Sequence, residues 1–280
     1  LDPLVSPVDA NRLMEITRSP GPFGRRYHPL ALYLAIASKA IAAALWFATT
    51  HRAAAAWCFF APDPWVLHAL FAPSGQGLCR VRTRFVTTRR EVWLTIDDGP
   101  DEQDTPRILD LLDRHRARAT FFVVGERAAR HPDLINAIVQ RGHEIGHHTY
   151  THPAGTFWCA GPGRLATELD ATLETLARAG VRPAWFRAPV GIKHLFLHRA
   201  LVRRELGYVG WSIRSGDCRL RAPEGLAGNV IPRLHPGAIV LVHEGPAVRV
   251  PVRVAGIAHL LEELDRRDYT CVIPRADQLR

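Results

Sequence analysis

The sequence predicts an α/β fold, a barrel of seven β/α units preceded by an apolar helical segment. Three observations predict it. After residue 90, short apolar runs rich in β-formers alternate about seven times with longer helix-like stretches, the pattern of parallel strands with helices outside. No glycine-rich phosphate loop follows the first run, which counts against an open doubly wound sheet, the second architecture that the alternation allows. Asp, His and Arg residues capable of chemistry fall at the carboxyl ends of successive runs, where a β/α barrel assembles its site.

In order, the expected strands are 91–96 (EVWLTI), 119–124 (ATFFVV), 144–147 (EIGH), 185–187 (WFR), 208–213 (YVGWSI), 238–243 (AIVLVH) and 269–273 (YTCVI). Each is a short run of β-branched, aromatic or aliphatic residues. A helix over 105–116 has Asp104 or Thr105 as its cap and Pro106 in its first turn. One over 127–141 stops at Gly142 and another over 162–179 stops at Gly180, because glycine takes the left-handed conformation that ends a helix. Weaker helical patterns cover 194–206, 223–234 and 252–267.

Residues 1–90 read as a separate basic and apolar segment, and 91–280 as the β/α unit. The run 30–49 (LALYLAIASKAIAAALWFAT) has the ~20 residues of a membrane span. Lys39 sits at its middle, where a charge is costly. A second run, 53–71, is broken by Pro62-Asp63-Pro64. Two short spans would form a hairpin, and flanking arginines would then place both ends in the cytoplasm. One span would put the β/α unit outside; a buried helical pair packed on a soluble domain is the third reading. The chain starts at Leu1, so its N-terminus reads as processed, truncated or alternatively started, and no signal-peptide layout is found.

The charge distribution follows the same division. Residues 1–90 hold eleven Lys/Arg against four Asp/Glu, whereas residues 91–280 hold twenty-five against twenty-three. Arg25, Arg26, Arg80, Arg82, Arg84, Arg89 and Arg90 flank the apolar stretch and point to a membrane surface or a solvated basic linker. No nucleic-acid motif accompanies them. Cys58, Cys79, Cys159, Cys218 and Cys271 are odd in number and irregular in spacing, so neither a disulfide framework nor a structural zinc module is implied, and reduced thiols fit a cytosolic catalytic unit.

The chemistry gathers at the strand ends. Asp97 and Asp98 are adjacent carboxylates that extended backbone points in different directions, so they can take different tasks: one binds a metal, the other takes a proton from water. Gly99 and Pro100 turn the chain beneath them, and an ordinary Asp-Gly turn is the alternative. His148 and His152, four apart, can aim both rings at one ion. With Asp98 they make an open two-nitrogen, one-oxygen set suited to Zn²⁺, with Fe²⁺, Co²⁺ or Mn²⁺ as alternatives. His143 reads as a helix-end or surface residue, and His147 as structural or as a support for the ligands. Arg187 can hold an aspartate ionised. His243 can act as general acid, oriented by Asp217. Singly, each of these three has an ordinary structural reading.

These residues lie in motifs that resemble the polysaccharide deacetylase family (the NodB homology domain, carbohydrate esterase family 4) over about residues 90–275. The family's TFDDGP motif is present as residues 95–100 with Ile96 for Phe; H-[ST]-x-x-H-P is intact at 148–153; R-x-P-x-G is 187–191; L-x-H is 241–243. The stretch 119–126 (ATFFVVGE) has the same look. The resemblance implies a distorted β/α barrel. It implies Asp97 as general base, Asp98, His148 and His152 as metal ligands, and Arg187 as the tether of Asp97. It further implies the Val190 N–H in an oxyanion hole and His243 as general acid tuned by Asp217. The fourth motif departs: where D-x-x-D-W is common, Arg214 and Cys218 replace the first aspartate and the tryptophan, and only Asp217 is retained. That alters the wall of the acetyl pocket. Val190, where an aromatic is frequent, does the same, and Glu244 replaces the usual Asp after His243.

The expected activity is metal-dependent removal of N-acetyl groups from an amino-sugar glycan, a hydrolysis of linear amides. Two rivals stand beside it: deacylation or deformylation of a lipid-linked sugar, and a non-catalytic carbohydrate-binding homologue. Expected partners are a glycan or lipid-linked sugar and, through residues 30–71, a membrane; the expected location is a bacterial inner membrane.

Overall fold

The computed structural model describes residues 30–280; Arg25 and Arg26 lie outside the described residues. Its sheet is built from β1 (Glu91–Asp97), β2 (Ala119–Val123), β3 (Glu144–His147), β4 (Trp185–Phe186), β5 (Gly207–Tyr208), β6 (Ile213–Arg214), β7 (Ala238–His243) and β8 (Thr270–Cys271). The spatial order is β5-β4-β3-β2-β1-β7-β6, with β8 paired to the foot of β1. Every one of these pairs is parallel. This curled parallel sheet with helices outside is the distorted β/α barrel that the sequence predicts.

Two-residue periodicity sorts the strand side chains into two layers. Val92, Leu94 and Ile96 of β1 pack outward with Phe121, Val240 and Val242 against the helices. Trp93 faces the other way, into a second cluster with Phe122, Trp185, Val209 and Ile239 that fills the inside of the curl. By the same alternation Thr95, Asp97 and His243 belong to the inner face. Burying each large apolar side chain of these layers contributes ~1.5–3 kcal/mol, which is why the polar residues above them are held on a rigid base.

Among the described residues, three helices precede the barrel: α1 (Leu30–Ala48), α2 (Arg52–Phe60) and α3 (Asp63–Phe71). The second apolar run breaks at Pro62, as its proline content predicts. The mid-run charge is met inside this unit: Lys39 Nζ donates to Asp63 Oδ1 and to the Phe59 carbonyl, each at 2.8 Å. Among the described residues no helix is long and apolar enough to cross a membrane, so the expectation of a spanning helix is not met. After α3 the chain runs along the barrel, where Arg82 bridges Val209, Arg84 bridges Ala238 and Phe85 bridges Leu279.

The outer helices are α4 (Asp104–Arg114), α5 (Gly125–Arg130), α6 (Pro132–Gln140), α7 (Pro162–Arg178), α8 (Leu197–Val202), α9 (Glu224–Val230) and α10 (Arg253–Asp265). In α4 the residues Ile108, Leu109, Leu111 and Leu112 form one buried stripe. Two expectations are corrected. The helix expected over 127–141 is two helices, because Pro132 has no N–H to continue the first and instead opens the second. The strand expected over 208–213 is β5 and β6 on opposite edges of the sheet. The Val209 N–H still donates to the Phe186 carbonyl, but the Val209 and Gly210 carbonyls turn to the Arg187 side chain, and the chain passes from one edge strand to the other.

Candidate active site

The register of the central strands brings the first residues together. Asp97 at the end of β1 is the lateral partner of His243 at the end of β7, and His147 at the end of β3 is paired with Phe186. Just beyond the strands the backbone is forced into the left-handed region at Asp98 (φ 72°), Thr149 (φ 64°), His152 (φ 54°) and Val190 (φ 50°). None is glycine, and such conformations each cost on the order of 1–3 kcal/mol, so the surrounding structure holds them in place. All four line the same strand-end region.

Asp98, His148 and His152 converge on one point. Asp98 Oδ1 lies 3.4 Å from His148 Nε2 and 3.2 Å from His152 Nε2. It is buried and has no hydrogen-bond partner. His148 Nδ1 lies 2.9 Å from the Arg187 carbonyl. A carbonyl only accepts, so Nδ1 carries the proton and the Nε2 lone pair faces Asp98. Burial pushes the Asp98 carboxyl up, but the surrounding His148, His152 and His243 imidazoles outweigh it and hold the group well below the ordinary carboxylate range. Burial, followed by the His148 charge, pulls the His152 imidazole down to about 4, so at neutral pH it offers a lone pair. An orphaned buried carboxylate oxygen facing two imidazole nitrogens fits a divalent cation of the zinc class.

Arg187 is fully buried. Its Nη1 donates to Asp97 Oδ1 at 2.6 Å and to Thr95 Oγ1 at 2.8 Å, Nη2 to the Gly210 carbonyl at 2.9 Å and Nε to the Val209 carbonyl at 3.3 Å. The Phe122 ring covers one face at 4.1 Å. A buried guanidinium survives only when its donors are met in this way. The bond takes one oxygen of Asp97; the other, Oδ2, lies 3.8 Å from His148 Nε2.

On the opposite wall, His243 Nδ1 lies 2.8 Å from Asp217 Oδ1, and the His243 N–H donates to Asp217 Oδ2 at 2.7 Å. Burial pulls the imidazole down, but the Asp217 hydrogen bond, then Cys218 and the Asp217 charge, raise it well above its ordinary value. Burial raises Asp217, and the His243 bond and charge more than reverse that. Val190, half exposed, sits in a short turn over Pro189–Gly191, where the Gly191 N–H donates to the Ala188 carbonyl and the Tyr208 hydroxyl to the Gly191 carbonyl. A side chain on Gly191 would strike Trp211 and Pro73.

Thus every residue singled out at the strand ends lies in one region. His147 is buried structure, with Nε2 at 3.0 Å from the Leu169 carbonyl. His143, expected at a helix end or the surface, is instead buried against Phe121. Three further contributors support the site, and of these only Thr95, the first residue of the 95–100 motif, carries a sequence signal. Glu168, on α7, accepts from the Tyr150 and Thr151 N–H groups at 2.9 Å and from the Thr151 hydroxyl at 2.6 Å, pinning the loop that ends in His152. Thr95 braces Arg187. Arg127 donates to the Asp98 carbonyl. A mid-helix glutamate looks like an ordinary surface residue until the fold brings it in.

A sequence profile for polysaccharide deacetylases matches residues 86–210. The chain is 33% identical over 196 residues to a chitooligosaccharide deacetylase of Bradyrhizobium sp., covering 66% of this chain and 89% of that one. It is 31% identical over 204 residues to a peptidoglycan-N-acetylglucosamine deacetylase of Bacillus cereus, covering 72% and 70%. Among solved structures, a peptidoglycan N-acetylglucosamine deacetylase superposes with a TM-score of 0.63 at 29% identity over 68% of this chain and 88% of that one. A family 4 carbohydrate esterase from Streptomyces lividans in complex with acetate gives 0.61 at 29% over 68% and 95%.

Proposed function

This chain belongs to the polysaccharide deacetylase family, and on that premise we propose that it hydrolyses the N-acetyl amide of an amino-sugar glycan, releasing acetate and a free amine. The chain is an enzyme of the amide-hydrolase class. The reading is carried by the meeting of a tethered carboxylate (Asp97), a three-donor cation set (Asp98, His148, His152) and a charged imidazole (His243) at one end of the barrel.

A divalent cation held by Asp98, His148 and His152 would supply a Lewis acid for the amide carbonyl and lower the pKa of water. Arg187 holds Asp97 Oδ1, so Oδ2 is the oxygen that takes the proton from the attacking water. The backbone N–H of Val190 donates to the oxyanion as the carbonyl becomes tetrahedral. Asp217 fixes the His243 ring through Nδ1, so the proton passed to the departing sugar nitrogen leaves from Nε2. The small Cys218 side chain beside this ring supports an acyl pocket of altered shape, which keeps formamide hydrolysis as the rival chemistry.

Membrane association of residues 30–71 is a second part of the reading. Twelve of the twenty exposed large apolar side chains of the described residues lie between Tyr33 and Phe71. On α1 Tyr33, Leu34, Ile36, Ile41 and Phe47 spread over the broad face opposite the buried Ala35 and Ala42, an apolar face that a lipid surface accepts. Arginines flank the stretch at both ends in the sequence, matching an anionic lipid surface. The full chain should co-sediment with phosphatidylglycerol vesicles, and Phe47→Glu with Trp57→Glu should abolish it. A chain that stays in the supernatant, or that hides these residues in a dimer, contradicts the lipid reading.

The activity is tested by measuring acetate and free amine from N-acetylated chitooligosaccharides and peptidoglycan fragments, with and without added Zn²⁺, beside formate release from an N-formylated lipid-linked sugar. The expectation is equal acetate and amine, lost in His148→Ala. Formate release alone would transfer the assignment to the rival, and a folded, metal-loaded chain that releases neither would leave it a non-catalytic relative.

A further inference from the structure

Beside the first donor set stands a second. Asp217 Oδ1, His243 Nδ1 and Cys218 Sγ face one another: Nδ1 and Oδ1 are 2.8 Å apart, and Sγ is 3.6 Å from each. The three ligand atoms form a group as tight as that of Asp98, His148 and His152. A tetrahedral zinc with bonds of ~2.3 Å to sulfur and ~2.0 Å to nitrogen or oxygen sets neighbouring ligand atoms roughly 3.3–3.6 Å apart. Both edges from sulfur match; the nitrogen–oxygen edge opens by a few tenths of an ångström when the proton now between them is replaced. Cys218 and His243 are half-buried and within reach of solvent, whereas Asp217 is buried beneath them. Cys79 and Cys271 are buried elsewhere, in the barrel's apolar clusters.

We propose that Asp217, Cys218 and His243 form an inhibitory site for a second, thiophilic cation such as Zn²⁺ or Cd²⁺. Binding is an exchange: the cation enters, the proton on Nδ1 and the proton on Sγ leave, and the Asp217 carboxylate remains an oxygen donor. The tryptophan common at position 218 in the family's fourth motif offers no such ligand, so the site comes with this chain's cysteine. A thiolate selects zinc or cadmium over Mg²⁺ or Mn²⁺. Once Nδ1 holds the cation, the ring carries one proton, on Nε2, and can release it only by becoming an imidazolate. The imidazolium that the reaction requires is no longer formed. The inhibitory effect rests on His243 being the proton donor; occupancy of the site does not.

The experiment uses the full chain and Co²⁺ as a spectroscopic probe. Equilibrium dialysis should give two Co²⁺ per chain, and the thiolate-to-cobalt charge-transfer band in the near ultraviolet should grow only with the second. Cys218→Ser should bind one and show no band. Excess Zn²⁺ should inhibit the parent chain and not Cys218→Ser, each measured against its own rate at one equivalent. A single equivalent in the parent chain, or a band that persists in Cys218→Ser, overturns the site. Two equivalents with a band but no inhibition overturns its effect on the reaction and points away from His243 as proton donor.

Discussion

Arg187 touches Asp97 through its side chain and His148 through its main chain: Nη1 donates to Asp97 Oδ1 at 2.6 Å, and the carbonyl oxygen lies 2.9 Å from His148 Nδ1. One residue therefore orients the proton acceptor and fixes the tautomer of a cation ligand. Its position at the end of β4, on the wall of the curl facing β1 and next to β3, makes both contacts available at once.

Replacing Arg187 should accordingly damage stability as well as rate. Arg187→Met leaves the Asp97 carboxylate buried without its partner, and breaking a buried ion pair costs about 3–5 kcal/mol. Urea denaturation should show a fall of that order with an unchanged m-value. A stability loss below ~1 kcal/mol would mean that the pair is not as dry as its burial indicates.

Asp97→Asn keeps the shape and removes the proton acceptor. The kcat should drop by on the order of 10²-fold or more, with cation affinity retained because Asp97 is not one of the three donors. Near-normal turnover would refute the assignment.

Asp217→Asn bears on pH dependence. Asp217 is what lifts the His243 imidazole above its ordinary value against the pull of burial. The acid form is the active one, so rate falls as pH rises through that raised pKa. In the variant the pKa drops, and the alkaline limb of the kcat profile should move to lower pH. The same pair sets a stability term of matching sign: the raised His243 contributes below its unfolded value and loses the contribution as pH rises through the folded one. An alkaline limb that does not move would separate His243 from proton donation.

Glu168→Gln tests a positioning residue. Its carboxylate accepts three hydrogen bonds from residues 150 and 151, just before His152. Loss of such outer support typically weakens cation affinity ~10–100-fold. Isothermal titration with Zn²⁺ should show that weakening while the unfolding midpoint changes little. Unchanged affinity would make Glu168 a loop brace only.

Much of this was legible from residue order. The positions of β1, β3 and β7 follow from their apolar runs, and period-two alternation places Asp97 and His243 on the same face. The family motifs name the cation donors, and the structure brings all three together. What the sequence does not show is long-range. Nothing in the run 208–213 indicates that Val209 and Gly210 surrender their carbonyls to Arg187, because that demand comes from a side chain some twenty residues away. Glu168 lies on the amphipathic face of a helix and reads as surface until the loop folds over it. The break at Pro132 was local and could be seen, yet the apolar spacing on either side of it favours one continuous helix. His143 reads as a polar residue after a helix stop, and its burial depends on Phe121 of the neighbouring strand.

The most direct measurement is the Zn²⁺ content and binding isotherm of the folded chain after chelation and re-addition, compared with Asp98→Asn, His148→Ala and His152→Ala. Measured in the Cys218→Ser background, so that the second site is absent, one tight equivalent that is lost or strongly weakened on adding each of the three substitutions while the folds persist is the predicted result. A folded parent chain that takes up no tight cation, or variants that keep it undiminished, would contradict the shared site on which the proposed reaction depends.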